Sequence, residues 1–250
     1  MPGIVGGTSR PCPSLKSLSN KFGGILRFCH SRNRYERLDS KLEKKMIEVK
    51  QRSTSGNSKF RSINSIILRF PQFREGLHEI RDVFRQYDVD SNGFINREEL
   101  KNCLQELQFN YTEKEIDELF ECCDLSGRKG MKFNEFIVVL CLVYLLVSTP
   151  SSNETGTKFG SPVLKATFDT IIEAFLFLDK NGDGKLNKKD ISKAMNDHFP
   201  LEKAPIHVTT TRFKEMDWNK DGKVGFREFL FSLTNWVGID SNEEVHVTEI

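Results

Sequence analysis

The sequence has no CxxC pair, no Gly-rich phosphate-cradling loop and no GxSxG turn. Zinc frameworks, thiol–disulfide exchange, nucleotide-phosphate chemistry and the hydrolase nucleophile elbow therefore lack their usual signatures. Its six cysteines (Cys12, Cys29, Cys103, Cys122, Cys123, Cys141) follow no framework spacing, and reduced thiols in a cytosolic-type compartment are expected. Cys103, Cys123 and Cys141 fall on expected helices, as buried inert thiols. The five histidines (His30, His78, His198, His207, His246) show neither metal nor triad spacing, so no catalysis is expected. Acidic residues are missing before Glu36, and residues 1–30 lack an apolar run of signal-peptide length. Pro2 also breaks the myristoylation pattern. The apolar run over 136–147 has twelve residues, short of the roughly 18 that a bilayer span needs. Apolar on all sides, it requires a cover, and an interlobe or partner contact is the expected one.

What is present is unevenly distributed. Residues 1–61 carry 14 Lys/Arg against 4 Asp/Glu, a net of +10, leaving 23 against 31, a net of −8, for the rest of the chain. A basic arm thus precedes an acidic body, and clustered carboxylates favour the capture of cations. Phe is abundant at 20 residues, so the core is expected to be Phe-rich. The expected organisation is all-α. A disordered basic arm covers 1–37, and its Arg- and Ser-rich, acid-poor composition leaves an organellar transit peptide as the alternative. An amphipathic helical extension covers 38–74. Leu38, Leu42, Met46 and Val49 share one face of a first amphipathic segment, Ile63, Ile66, Ile67 and Phe70 one face of a second, and Pro71 is expected to end the second helix. These segments are expected to pack on the protein's own body. Docking on an acidic membrane, or in the protein's own groove, is the competing reading.

From residue 75 to 239 a unit repeats: a periodic helix, a short Asp-rich loop with Gly, and a second periodic helix. The units cover 75–110, 111–146, 166–201 and 204–239, with a linker over 147–165 dividing two lobes and an acidic tail over 240–250. The loops begin at Asp88, Asp124, Asp179 and Asp217. Each is twelve residues long, the length that lets oxygen ligands wrap Ca²⁺ at about 2.3–2.6 Å. Side-chain oxygens are needed at positions one, three and five, a carbonyl at seven and a bidentate carboxylate at twelve, with Gly at six for the turn.

Loop 1 supplies Asp88, Asp90, Asn92, the Phe94 carbonyl and Glu99, with Gly93 at the turn and Asn96 as water holder. Loop 4 supplies Asp217, Asn219, Asp221, the Lys223 carbonyl and Glu228 around Gly222, with Gly225 at the ninth position. Loop 3 supplies Asp179, Asn181, Asp183, the Lys185 carbonyl and Asp190 around Gly184. Asp190 is one methylene shorter than Glu, which favours a six-oxygen shell and weakens discrimination against Mg²⁺. Loop 2 keeps Asp124, Ser126 and Glu135 but has Arg128 where an oxygen belongs and Lys129 in place of the turn Gly. It is expected to be a structural partner of loop 1, with Lys129 strained by roughly 1 kcal/mol. Ile95, Met131, Leu186 and Val224 take the eighth positions, where a short β-bridge within each pair is expected. Phe84 and Tyr87, Phe120 and Cys123, Phe175 and Leu178, and Phe213 and Met216 repeat one register before the loops, and Phe136 and Phe229 follow them. All read as core.

The loops resemble those of the calmodulin-like EF-hand family. LEKKMIEVKQR, SINSIILRFP, FNEFIVVLCLVYLL, RFKEMDWNKDGKV and FLFSLTNWVGID are similar to plant calmodulin-like proteins, over roughly residues 38–245. The resemblance implies two paired-hand lobes, Ca²⁺-dependent opening and protein targets bound through an amphipathic helix. It does not extend to the first 37 residues, and loop 2 departs from it at the fifth and sixth positions. Only Met131, Met195 and Met216 lie within the hands, so a narrower range of targets than calmodulin's is expected. The expected function is a Ca²⁺ sensor with affinity of roughly 10⁻⁷–10⁻⁵ M, monomeric when free, binding no nucleic acid, and cytoplasmic or nuclear. A calcium buffer and a permanently bound regulatory subunit, attached through the 136–147 helix, are the rivals.

Overall fold

The computed structural model describes residues 35–52, 60, 65–66, 68–125, 127–147, 161–196 and 206–239. The arm up to residue 34, Ile63, Ile67, Ser126, the 148–160 part of the linker and the tail from residue 240 lie outside the described residues.

Helix α1, Glu36–Arg52, buries Leu38, Leu42 and Met46 and carries acidic residues in its first turn and basic ones in its last, the polarity its dipole favours. Helix α2, Phe70–His78, corrects the expectation at Pro71. That proline lies in its first turn and opens the helix rather than ending one. An N–H missing there has no intrahelical acceptor to lose, and the fixed φ suits the helix. Helix α3, Ile80–Tyr87, leads into loop 1, and α4, Arg97–Glu106, leaves it. Helices α5, Glu113–Cys123, and α6, Phe133–Val147, flank loop 2. Helices α7, Pro162–Leu178, and α8, Lys188–Asn196, flank loop 3. Helices α9, Ile206–Met216, and α10, Phe226–Val237, flank loop 4. Capping boxes begin α4 (Asn96 with Glu99) and α5 (Thr112 with Glu115). Gly238, at φ +72°, closes α10 in the left-handed region.

Each lobe is tied by one antiparallel bridge, Ile95 to Met131 and Leu186 to Val224, with N–H···O distances of 2.7–2.9 Å. The cores repeat as well. Phe84 meets Phe133 and Phe136 edge-on, as Phe175 meets Phe226 and Phe229. The aromatic, aliphatic and sulfur side chains that the repeat register placed before the loops are all buried.

The apolar helix α6 supplies the junction. Its residues from Glu135 to Leu145 are buried against α1, α3, α5, α7 and α10. The cover it needs therefore comes from both lobes and the extension. Tyr144 Oη donates to Asp169 Oδ1 of α7 at 2.5 Å. No described helix is long and apolar enough to cross a membrane.

Helix α2 packs across the junction on α7 and α10. At Gly76 the approach is so close that an added Cβ would stand 2.9 Å from the Thr167 Cβ of α7. Gly76→Ala is expected to lower stability by about 1–3 kcal/mol, read as a reduced denaturant midpoint. An unchanged midpoint would mean that α2 and α7 part to admit the methyl without cost.

Candidate metal centres

All four loops share one backbone cast. The N–H of the sixth residue donates to the carboxylate of the first: Gly93 to Asp88 at 2.9 Å, Lys129 to Asp124 at 2.8 Å, Gly184 to Asp179 at 3.0 Å, Gly222 to Asp217 at 3.2 Å. The N–H of the ninth donates to the carboxylate of the twelfth: Asn96 to Glu99 at 2.8 Å, Lys132 to Glu135 at 2.7 Å, Asn187 to Asp190 at 2.9 Å, Gly225 to Glu228 at 2.9 Å. The sixth residues have φ of +80°, +61°, +78° and +82°. Glycine meets that demand freely; Lys129 meets it under strain. Lys129→Gly is expected to raise stability by roughly 0.5–1 kcal/mol, measured by chemical denaturation. A loss of stability would show that the lysine stem packs usefully.

In loop 1 the carboxylate oxygens of Asp88, Asp90 and Glu99 lie within 4.8 Å of one another, and Glu99 also accepts from the Val89 N–H at 3.0 Å. Asn92 Oδ1 accepts from Phe94 N–H at 2.8 Å. In loops 3 and 4 the three carboxylates do not reach that mutual closeness. Their short-range turns still form. Asn181 and Asn219 accept from the fifth residues, Asp183 and Asp221, which accept from the seventh, Lys185 and Lys223, all at 2.8–3.1 Å. Arg128 has no oxygen to repeat that bond in loop 2.

Electrostatics fits a divalent cation. Asp217 Oδ1 is buried and has no hydrogen-bond partner among the described residues. Burial pushes the Glu228 carboxyl up to about 7 and raises those of Asp179 and Asp217. Carboxylates withdrawn from water and facing each other are stabilised in ionised form by a hard cation. Asp88, Asp90, Asn92, the Phe94 carbonyl and Glu99 would hold it in loop 1, and the corresponding oxygens would hold it in loops 3 and 4.

The model of the family described as the EF-hand domain pair matches residues 78–140 and 168–234. The chain belongs to the EF-hand family. Among these calcium-binding proteins its likeness is to calmodulin-like members. It is 49% identical to the probable calcium-binding protein CML22 of Arabidopsis thaliana, over 84% of this chain and 93% of that protein. It is 44% identical to the probable calcium-binding protein CML21 of the same plant, over 82% of this chain and 88% of that one. The likeness to calcium-dependent protein kinase 16 of Oryza sativa subsp. japonica is 26% identity over 65% of this chain, confined to 26% of the kinase.

The EF-hand pattern does not single out the residues that α1 brings to the second lobe. Arg227, beside the clamp Glu228, pairs with Asp39 through Nε at 2.9 Å and Nη2 at 2.8 Å, and donates to the Cys122 carbonyl of α5 at 3.2 Å. Burial opposes the charge of Arg227, but its hydrogen bonds to Asp39 outweigh that and hold it protonated. Lys50 reaches the carbonyls of Leu176 and Asp179. The only sequence signal was the amphipathic period of α1, which places a helix without naming its partner.

Proposed function

We propose that the chain is a calcium sensor in which hands 1, 3 and 4 take up Ca²⁺ and hand 2 braces hand 1. The observation that carries this reading is the common cast of the four loops, with oxygen-bearing residues at the fifth position in three of them and Arg128 in the fourth. Bound Ca²⁺ supplies the divalent charge that offsets the clustered carboxylates. The chain's own residues convert that to motion. Glu99, Glu135, Asp190 and Glu228 all sit in the first turn of the helix leaving their loop, so a shift of the carboxylate carries α4, α6, α8 or α10 with it.

The described conformation is closed. Among the residues whose side chains are described, only Leu68, Val89 and Val163 are large, apolar and exposed. In this conformation the described side chains offer a target helix no broad exposed apolar face. The rival subunit reading relies on the 136–147 helix, whose central stretch is buried inside this chain. A buffer would bind metal and stay closed. Titration calorimetry paired with a hydrophobic-probe fluorescence assay separates the readings. Heat of Ca²⁺ binding with a rise in probe fluorescence supports the sensor, and heat with no rise supports the buffer.

A further inference from the structure

Helix α1 crosses both lobes. Arg37 and Lys41 pair with Glu118 and Glu115 of α5 at 3.1 and 3.5 Å, and Asp39 pairs with Arg227 of α10. Its C-terminal half lies on loop 3. Glu43 Oε2 is 3.0 Å from Lys185 Nζ. A Cβ on Gly184 would stand 2.8 Å from the Glu43 carbonyl oxygen and 3.2 Å from Ile47 Cγ1. At Gly93 and Gly222, the same position in loops 1 and 4, no described atom comes within 4 Å of such a Cβ. Of the three glycine-turned loops, loop 3 is the one covered by α1.

The cover ends in a cation. Lys50 Nζ donates to the Leu176 carbonyl at 2.5 Å, in the last turn of α7, and to the Asp179 carbonyl at 2.9 Å, the first residue of the loop. The ammonium stands next to the loop whose Asp179, Asp183 and Asp190 would receive a divalent ion. A second positive centre at that range is repelled, strongly so in a partly buried setting. The same bond fixes the backbone that carries the first ligand.

We propose that α1 is a latch opposed by the ion of loop 3: docking of Lys50 and uptake of Ca²⁺ there weaken one another. The inference rests on the Ca²⁺ reading above and adds its route to opening. The coupling is reciprocal, so whatever affinity the latch takes from the ion, the ion takes from the latch. Leu38, Leu42 and Met46 of α1 are buried, and α1 packs on α6 and α10. Release of α1 uncovers the apolar cradle those three residues fill. The partner that fits it is an amphipathic helix with apolar residues at i, i+4 and i+8, an acidic residue for Arg227 and a basic one for the end of α7.

The test is a Ca²⁺ titration of the full chain and of its Lys50→Gln variant, followed at the Gly184 amide by NMR. Glutamine keeps an N–H₂ donor on a stem one bond shorter and removes the charge. Lys44→Gln, at an exposed lysine of the same helix, makes the same net-charge change away from the loop. Half-saturation at Gly184 is expected at about fivefold lower Ca²⁺ or less in Lys50→Gln than in the other two proteins. In the unaltered chain, Ca²⁺ is expected to speed hydrogen exchange of the amides of residues 45–52. Equal half-saturation in all three proteins, or unchanged exchange, overturns the latch alone. No response of Gly184 in any of them overturns the Ca²⁺ reading of loop 3 and the latch with it.

Discussion

Glu99→Gln is expected to lower the Ca²⁺ affinity of loop 1 on the order of 100-fold, since ligand charge count sets EF-hand affinity over several decades. Glu99 is 6% exposed, and its two oxygens accept from the N–H groups of Val89 and Asn96 at 3.0 and 2.8 Å. The carboxylate is therefore aimed before any ion arrives, which removes most of the ordering that binding would otherwise require. Glutamine keeps the shape, loses one of the three charges on the candidate ligands Asp88, Asp90 and Glu99, and turns an amide N–H₂ toward a donor. Lys129→Gly, which leaves the oxygen set of loop 1 intact, is the comparison protein. Calorimetric titration reads both. An affinity unchanged by Glu99→Gln would mean that Asp88 and Asp90 hold the ion without the clamp.

Asp39→Ala is expected to destabilise the fold by about 3 kcal/mol, the lower end of what stranding a buried charge costs. The Arg227 side chain is 7% exposed and that of Asp39 is 37% exposed, so the loss falls on the arginine. It keeps its bond to the Cys122 carbonyl and its place over the Tyr35 ring, 5.1 Å from the centroid, but loses the two-point pairing with the Asp39 carboxylate. The double variant Asp39→Ala/Arg227→Met is expected to recover much of the difference, because removing both partners of a buried pair leaves nothing charged to desolvate. Urea unfolding of the unaltered chain, Asp39→Ala, Arg227→Met and the double variant completes the cycle. A double variant as unstable as the single would assign the loss to packing of α1 rather than to charge.

The loops were legible because ion coordination dictates residue type at fixed offsets. Asp88, Asp90, Asn92, Gly93 and Glu99 admit few alternatives, and the same offsets at 179 and 217 exclude coincidence. The paired β-bridge and the buried Phe register followed from that frame. Lys129 also behaved as its position demanded, taking the left-handed backbone of the glycines it replaces. The tertiary partners were not legible. Lys41, Lys44, Lys45 and Lys50 all surround the apolar face of one helix, and only the placement of α1 against loop 3 marks out Lys50. Arg227 reads as an ordinary loop residue until Asp39, 188 positions away, arrives beside it. Pro71 carries both meanings, helix end and helix start, and the packing of α2 on α7 and α10 accompanies the second.

Counting bound ions is the most direct measurement. Equilibrium dialysis against micromolar free Ca²⁺ is expected to find three ions per chain, falling to two in Glu99→Gln. Uptake of none at millimolar free Ca²⁺ would contradict the account.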